Sequence, residues 1–258
     1  MCLVVFSPNG KLLVSGSSDE TVRLWNADTG ELIRTREEHT GPVNTVAFAA
    51  DGEKFRSGSN EDPTIWSWFS LDGGRAMESV ETHDIMKPTD VFTATVFSSD
   101  GETVVRASTA TFPVVGNGFL IFLGGAYNAM ILADHADSVN VLTLYMEGKT
   151  LATGSTDKTV QLWNIKSHDP TKPLHILTRH TEGITTLTFF ADGKTLATGS
   201  VDKTVRLWDV ATGWHLYTLT GHAGEIGAVA SLEDKALASG SSDGTVFIWD
   251  LDKIISSD

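Results

Sequence analysis

The stretch LATGSTDKTVQLWN, residues 151–164, is followed by a near copy, LATGSVDKTVRLWD, at residues 196–209. Each copy places a hydroxyl, a carboxylate and a lysine within a few positions, so the phrase is either a catalytic motif, a binding motif or a statement of fold. Three further copies decide between them: VSGSSDETVRLWN (14–26), RSGSNEDPTIWSWF (56–69) and ASGSSDGTVFIWD (238–250). A histidine precedes most copies by about twenty residues (His39, His135, His180, His222), and a tight-turn phrase such as SPNGK, AADGE or FADGK lies between.

The period of about 41 to 45 residues matches a four-stranded blade of a β-propeller. VNTVAF or ITTLTFF reads as strand a of such a unit. An Asx-Gly turn follows, cheap because these residues accept positive φ. TLATGS is strand b, TVRLW strand c, and WHLYTLT or LHILTRH strand d. The predicted class is all-β: a propeller of six four-stranded blades, one degenerate, in a single domain over 1–258. The blades fall at about 1–38, 39–82, 83–134, 135–179, 180–221 and 222–258. The degenerate unit reads VFTATVFSSDGETVV (91–105) as strands a and b, GFLIFL (118–123) as strand c and AYNAMIL (126–132) as strand d.

The Gly221-His222 pair, the SGS.D.TV.LW phrases and Trp-Asp at 208–209 and 249–250 resemble the Trp-Asp (WD) repeat family, over essentially the whole chain. The resemblance implies a buried hydrogen-bond chain in each matching unit, running Trp to Ser/Thr to His to Asp. Carried onto this chain, the sets are His39, Ser57, Asp62 and Trp68; His135, Thr153, Asp157 and Trp163; His180, Thr198, Asp202 and Trp208; and His222, Ser239, Asp243 and Trp249. Trp66 is then an additional aromatic. The physical logic agrees: an interior tryptophan must satisfy its indole N–H, and a buried aspartate needs donors. Histidine, aspartate and a hydroxyl are also the members of a nucleophilic triad. A catalytic set is normally singular, however, and this one recurs in four units, so the phrase specifies the fold.

Composition narrows function. The 33 acidic against 19 basic residues leave a net charge of −14, which repels nucleic acid and anionic membranes. The single cysteine, Cys2, excludes an internal disulfide and fits a cytoplasmic setting. Residues 107–133 carry no charge, but Pro113 and closely spaced glycines break them, so they read as strands and turns and not as a membrane span. No metal-ligand spacing or phosphate loop is present, and no cofactor is expected.

The expected role is a non-catalytic scaffold that presents propeller-face loops to partner proteins or peptides. The alternatives are a propeller-based enzyme, or a sensor or regulatory module cut from a larger multidomain protein. The loops next to the histidines are acidic (Asp84, Asp137, Glu182, Glu225), and Glu61 adds to them, so the expected partner segment is basic. A second surface is the long connection NIKSHDPTKPLH (164–175). Two explanations of ring closure compete: an incomplete propeller, towards which the reading leans, or a six-bladed ring closed by packing its ends. An open ring exposes apolar blade faces and invites self-association.

Overall fold

A computed structural model of the chain describes residues 3–49, 52, 54–59, 65–69, 79–80, 92–97, 103–112, 116–123, 128–132, 135–145, 149–165, 172–232 and 235–255. Two compact units are present, residues 1–110 with 120–130 and residues 111–119 with 131–258. Both are built of antiparallel sheets in which strands follow one another in chain order.

In the first unit, β1 (Leu3–Phe6), β2 (Leu12–Gly16), β3 (Val22–Asn26) and β4 (Leu32–Arg36) form one sheet. The second sheet comprises β5 (Val43–Phe48), β6 (Lys54–Ser59), β7 (Ile65–Phe69) and the short β8 (Ser79–Val80). Alternation of β-branched and aromatic residues directs Val14, Val22, Val43, Val46, Phe55 and Trp68 into a shared core between these two sheets. Residues 92–132 supply β9 (Phe92–Phe97), β10 (Thr103–Phe112), β11 (Gly116–Leu123) and β12 (Asn128–Leu132), a four-stranded sheet in the order β12-β11-β10-β9. The described residues of the uncharged stretch are therefore strand. β10 runs on to Phe112, well past the expected end at residue 105, through the β-favouring Thr-Ala-Thr-Phe sequence. Among the described residues, no helix is long and apolar enough to cross a membrane.

The second unit stacks three sheets. They are β13 (Val139–Tyr145), β14 (Thr150–Ser155), β15 (Val160–Asn164) and β16 (His175–Leu177); β17 (Ile184–Phe189), β18 (Thr195–Ser200), β19 (Val205–Asp209) and β20 (His215–Leu219); and β21 (Ile226–Leu232), β22 (Ala236–Ser241) and β23 (Val246–Asp250). Register repeats with the sequence: Leu151 faces Trp163, Leu196 faces Trp208 and Leu237 faces Trp249. One face of each strand pair carries the tryptophan. The other carries a glycine over which the next sheet seats a β-branched side chain: a Cβ on Gly154 would lie 2.6 Å from Ile184 Cγ2, and one on Gly199 2.6 Å from Ile226 Cγ2. The "GS" of the repeated phrase is thus the point where sheets approach closely.

The last sheet differs from expectation. It has three strands, and residues Leu251–Ile255 form a short helix (α1), not a fourth strand. The cause is local. The Asp250 carboxylate accepts a hydrogen bond from Lys253 N at 3.3 Å, as an N-cap does, and Leu251 is buried against the core that holds Leu237 and Trp249. The face of this sheet equivalent to the glycine faces above is open. Val246 and Ile248 are each 70% exposed, whereas their counterparts Val205 and Leu207 are 0% and 3% exposed.

Candidate functional site

The repeated polar side chains meet in space. Thr198 lies diagonally from Trp208 on the same sheet face, and Trp208 Nε1 donates to its Oγ1 at 2.9 Å. That hydroxyl lies 2.7 Å from His180 Nε2, and His180 Nδ1 lies 2.8 Å from Asp202 Oδ2. The sheet before it repeats the arrangement with Trp163, Thr153, His135 and Asp157 at 3.2, 2.7 and 2.8 Å. In the last sheet, Trp249, Ser239, His222 and Asp243 stand at 2.8, 2.8 and 3.3 Å. In the second sheet, Ser57 joins His39 and Trp68, each at 2.8 Å. Asp62, Glu61 and Asp84 lie outside the described residues, as does 166–171 of the long c–d connection. Trp66 stacks on Trp68 at 5.6 Å.

Protonation follows from burial. Burial holds His180 below its ordinary value against the opposing pull of Asp202, so the ring is neutral at pH 7. Its Nδ1–H therefore donates to Asp202, and its Nε2 accepts the Thr198 hydroxyl proton. Burial raises the Asp157 and Asp202 carboxyls, but hydrogen bonds from Thr159 or Thr204 and from the paired histidine outweigh it and hold both below the usual range. Every member of the chain is thereby satisfied, and the hydroxyl is enclosed: Thr153 and Thr198 are fully buried. A buried, doubly bonded hydroxyl has no approach for a substrate.

Sequence reasoning missed further members. Thr159, Thr204 and Thr245 each donate a hydroxyl hydrogen bond to Oδ1 of their aspartate, at 2.7, 2.6 and 2.6 Å. Ser155 and Ser200 donate to the carbonyls of Asp137 and Glu182 at 3.1 and 3.0 Å. Their signal was the recurrence of GSxDxT itself. In the first sheet Trp25 Nε1 donates to Ser15 Oγ at 3.0 Å, and Arg23 takes the Asp19 carboxylate at 2.8 Å.

These bonds set the adjoining loops. The Ala136, Thr181 and Ala223 amides donate to the three aspartates at 2.9, 3.1 and 2.6 Å, tying each d–a loop to the b–c turn of its own sheet. The loops are held by their backbones while Asp137, Glu182 and Glu225 point into solvent. Lys158 reaches Glu182 from the preceding sheet at 3.4 Å. Among the described residues there is no group of three or more His, Cys, Asp or Glu that could hold a metal ion.

Five segments of the chain, residues 1–26, 30–68, 128–164, 171–209 and 213–250, match the family model of the WD domain, G-beta repeat. The chain belongs to the WD-repeat family. The matched segments pass over 69–127, where the structure nevertheless has most of a four-stranded sheet. Similar curated proteins include the guanine nucleotide-binding protein subunit beta of Oryza sativa subsp. japonica, 29% identical over 65% of this chain, and that of Nicotiana tabacum, 32% identical over 62%. Periodic tryptophan protein 2 of Arabidopsis thaliana is 28% identical over 63% of the chain. The matches span 44%, 42% and 17% of those proteins' own lengths. WD-repeat relatives of this kind support a general role in protein interaction.

Proposed function

We propose that this chain is a non-catalytic interaction scaffold of the cytoplasm. Its d–a loops and b–c turns in the second unit present an acidic face (Asp137, Glu182 and Glu225) to a basic peptide or protein segment. One observation carries the reading: three successive loops have their backbones bonded to buried polar chains while their carboxylates stay exposed. Loops whose backbones are held lose little freedom on binding, and their exposed carboxylates steer a cationic partner by charge. Two of the similar proteins are, by name, subunits of a guanine nucleotide-binding protein, which supports assembly with other chains. In a tagged pull-down at low salt, the joint reversal Glu182→Lys and Glu225→Lys is expected to release the bound partner. Undiminished recovery of that partner ends the proposal.

Self-association belongs to the same reading. Val246, Ile248 and Leu232 are 70%, 70% and 69% exposed on a face that elsewhere in the chain accepts a sheet of the same kind, and a second copy carries such sheets. Mass that rises with concentration for the wild type, and stays monomeric for Ile248→Lys, is expected in light scattering. A monomer at every concentration contradicts it.

A further inference from the structure

A different surface of the second unit has the opposite charge. The outer strands β16 and β20, which belong to neighbouring sheets, leave between them an open groove of about 330 Å³. Beneath it lie Leu177 and Trp208, buried members of one core, and the His215 and Trp208 rings meet edge to face at 5.4 Å and 81°. Trp214 stands on the rim, 74% exposed, the most exposed large apolar side chain among the described residues. One end is closed. His175 Nε2 donates to Ala211 O at 2.9 Å, and Gly213, at φ +71°, leaves room for the His175 ring, which a Cβ there would meet at 2.7 Å.

The charged side chain in the groove's lining is cationic: Arg179, which is exposed. Nearby on β19, Arg206 donates to Thr218 Oγ1 of β20 at 3.2 Å. Thr218 in turn stands 2.8 Å from His215 Nε2. The Arg206 Nε–H is buried without a partner among the described residues. Burial, then the nearby Arg179 and Arg206 charges, hold His215 below its ordinary value, an independent sign of a positive field. Asp209, at the closed end, turns its carboxylate into its own loop, accepting from Thr212 N at 2.8 Å and Thr212 Oγ1 at 2.6 Å. No acidic residue lines the groove among the described residues.

From this juxtaposition we infer that the β16/β20 groove is a docking site for an acidic segment of a partner protein, which seats one bulky apolar side chain against Trp214 and directs a carboxylate to Arg179. The two arginines supply charge complementarity that the rest of this chain, at −14, lacks. Tryptophan and arginine, both present in this lining, are among the residue types enriched where interface energy concentrates. A nucleic acid would extend its phosphates over the surrounding acidic surface and be repelled, whereas a short segment engages the groove alone. This surface is additional to the loop face, and would give the scaffold a second kind of partner.

The test is a random-peptide phage selection on the full chain, followed by affinity measurement of the enriched peptides. Arg179→Glu and Trp214→Ala alter exposed side chains outside the buried hydrogen-bond chains, and unchanged melting curves establish that both fold. Acidic peptides with a bulky apolar residue are expected to be enriched, and each substitution is expected to weaken them by about tenfold or more. Raising salt from about 0.05 to about 0.5 M should shrink the Arg179→Glu effect and spare that of Trp214→Ala. The inference is overturned by failure to enrich any peptide, by enrichment of basic or purely apolar ones, or by affinity retained in both variants. Displacement of the peptides by inorganic phosphate at constant ionic strength also overturns it, since that marks a free-anion site.

Discussion

Replacing Thr198 by valine tests whether the buried polar chain is a connected structure or a set of chance contacts. Valine matches threonine in shape and is fully enclosed at this position. The hydroxyl it removes accepts from Trp208 Nε1 at 2.9 Å and bonds His180 Nε2 at 2.7 Å. Two buried polar atoms lose their partner, each at about 1–3 kcal/mol, so Thr198→Val should cost about 4 kcal/mol. Thr198→Ser keeps the oxygen and loses one buried methyl, about 1 kcal/mol. Trp208→Phe removes the orphaned N–H together with indole packing. In the double variant, part of the valine cost therefore disappears, and a coupling of about 1–2 kcal/mol is expected. Urea unfolding followed by far-UV circular dichroism reads all four corners of the cycle without relying on the tryptophan signal. A Thr198→Val cost equal to that of Thr198→Ser, or a coupling near zero, refutes the reasoning.

Three further outcomes follow from the same geometry. His180 is held below the ordinary histidine value of about 6.5, so the unfolded chain takes up a proton first; stability is full above about pH 6.5 and falls as pH drops through the folded value. A second loss should begin below about pH 4, where the unfolded forms of Asp157 and Asp202 protonate before the folded ones, and melting temperatures level from pH 7 to 5 would contradict the first loss. Lys203 sits at φ +70° where the last repeat has Gly244 at +84°. Lys203→Gly should therefore gain roughly 0.5–1 kcal/mol in thermal unfolding, and Gly244→Lys should lose about as much. Gly199→Ala places a methyl 2.6 Å from both Ile226 Cγ2 and Thr186 Cγ2 and should cost about 1–3 kcal/mol, whereas Gly240→Ala, with nothing within 4 Å, should cost nothing measurable in the same assay.

Much of this was legible in the residues because the chain repeats itself. Each copy of the GSxDxTVxLW phrase re-states the same register, so the strands and tight turns could be placed from spacing, and the resemblance to the WD-repeat family named the partners of each tryptophan. What was not legible depends on single events. The fourth strand of the last sheet gives way to α1 because Asp250 caps Lys253 N and Leu251 finds a buried seat; both are local choices that periodicity does not record. In the first sheet Asp19 pairs with Arg23 of β3, a contact within one repeat that the shared phrase does not record. The β16/β20 groove joins side chains of two repeats, and Trp214 and Arg179 have no counterparts in the other copies to draw attention to them. Exposure of Val246 and Ile248 was equally invisible, since their phrase matches that of buried neighbours.

Recruitment of protein partners by the acidic loop face is read out by cross-linking mass spectrometry, with an amine-reactive reagent, on the complex purified from native cells. Lys158 and Lys203 stand on the b–c turns of that face, about half exposed in the case of Lys158, and report contacts there. Reproducible partner cross-links at Lys158 and Lys203 are expected, lost when Glu182 and Glu225 are reversed to lysine. Stable partners whose cross-links avoid both lysines, or a chain that purifies without partners, would contradict it.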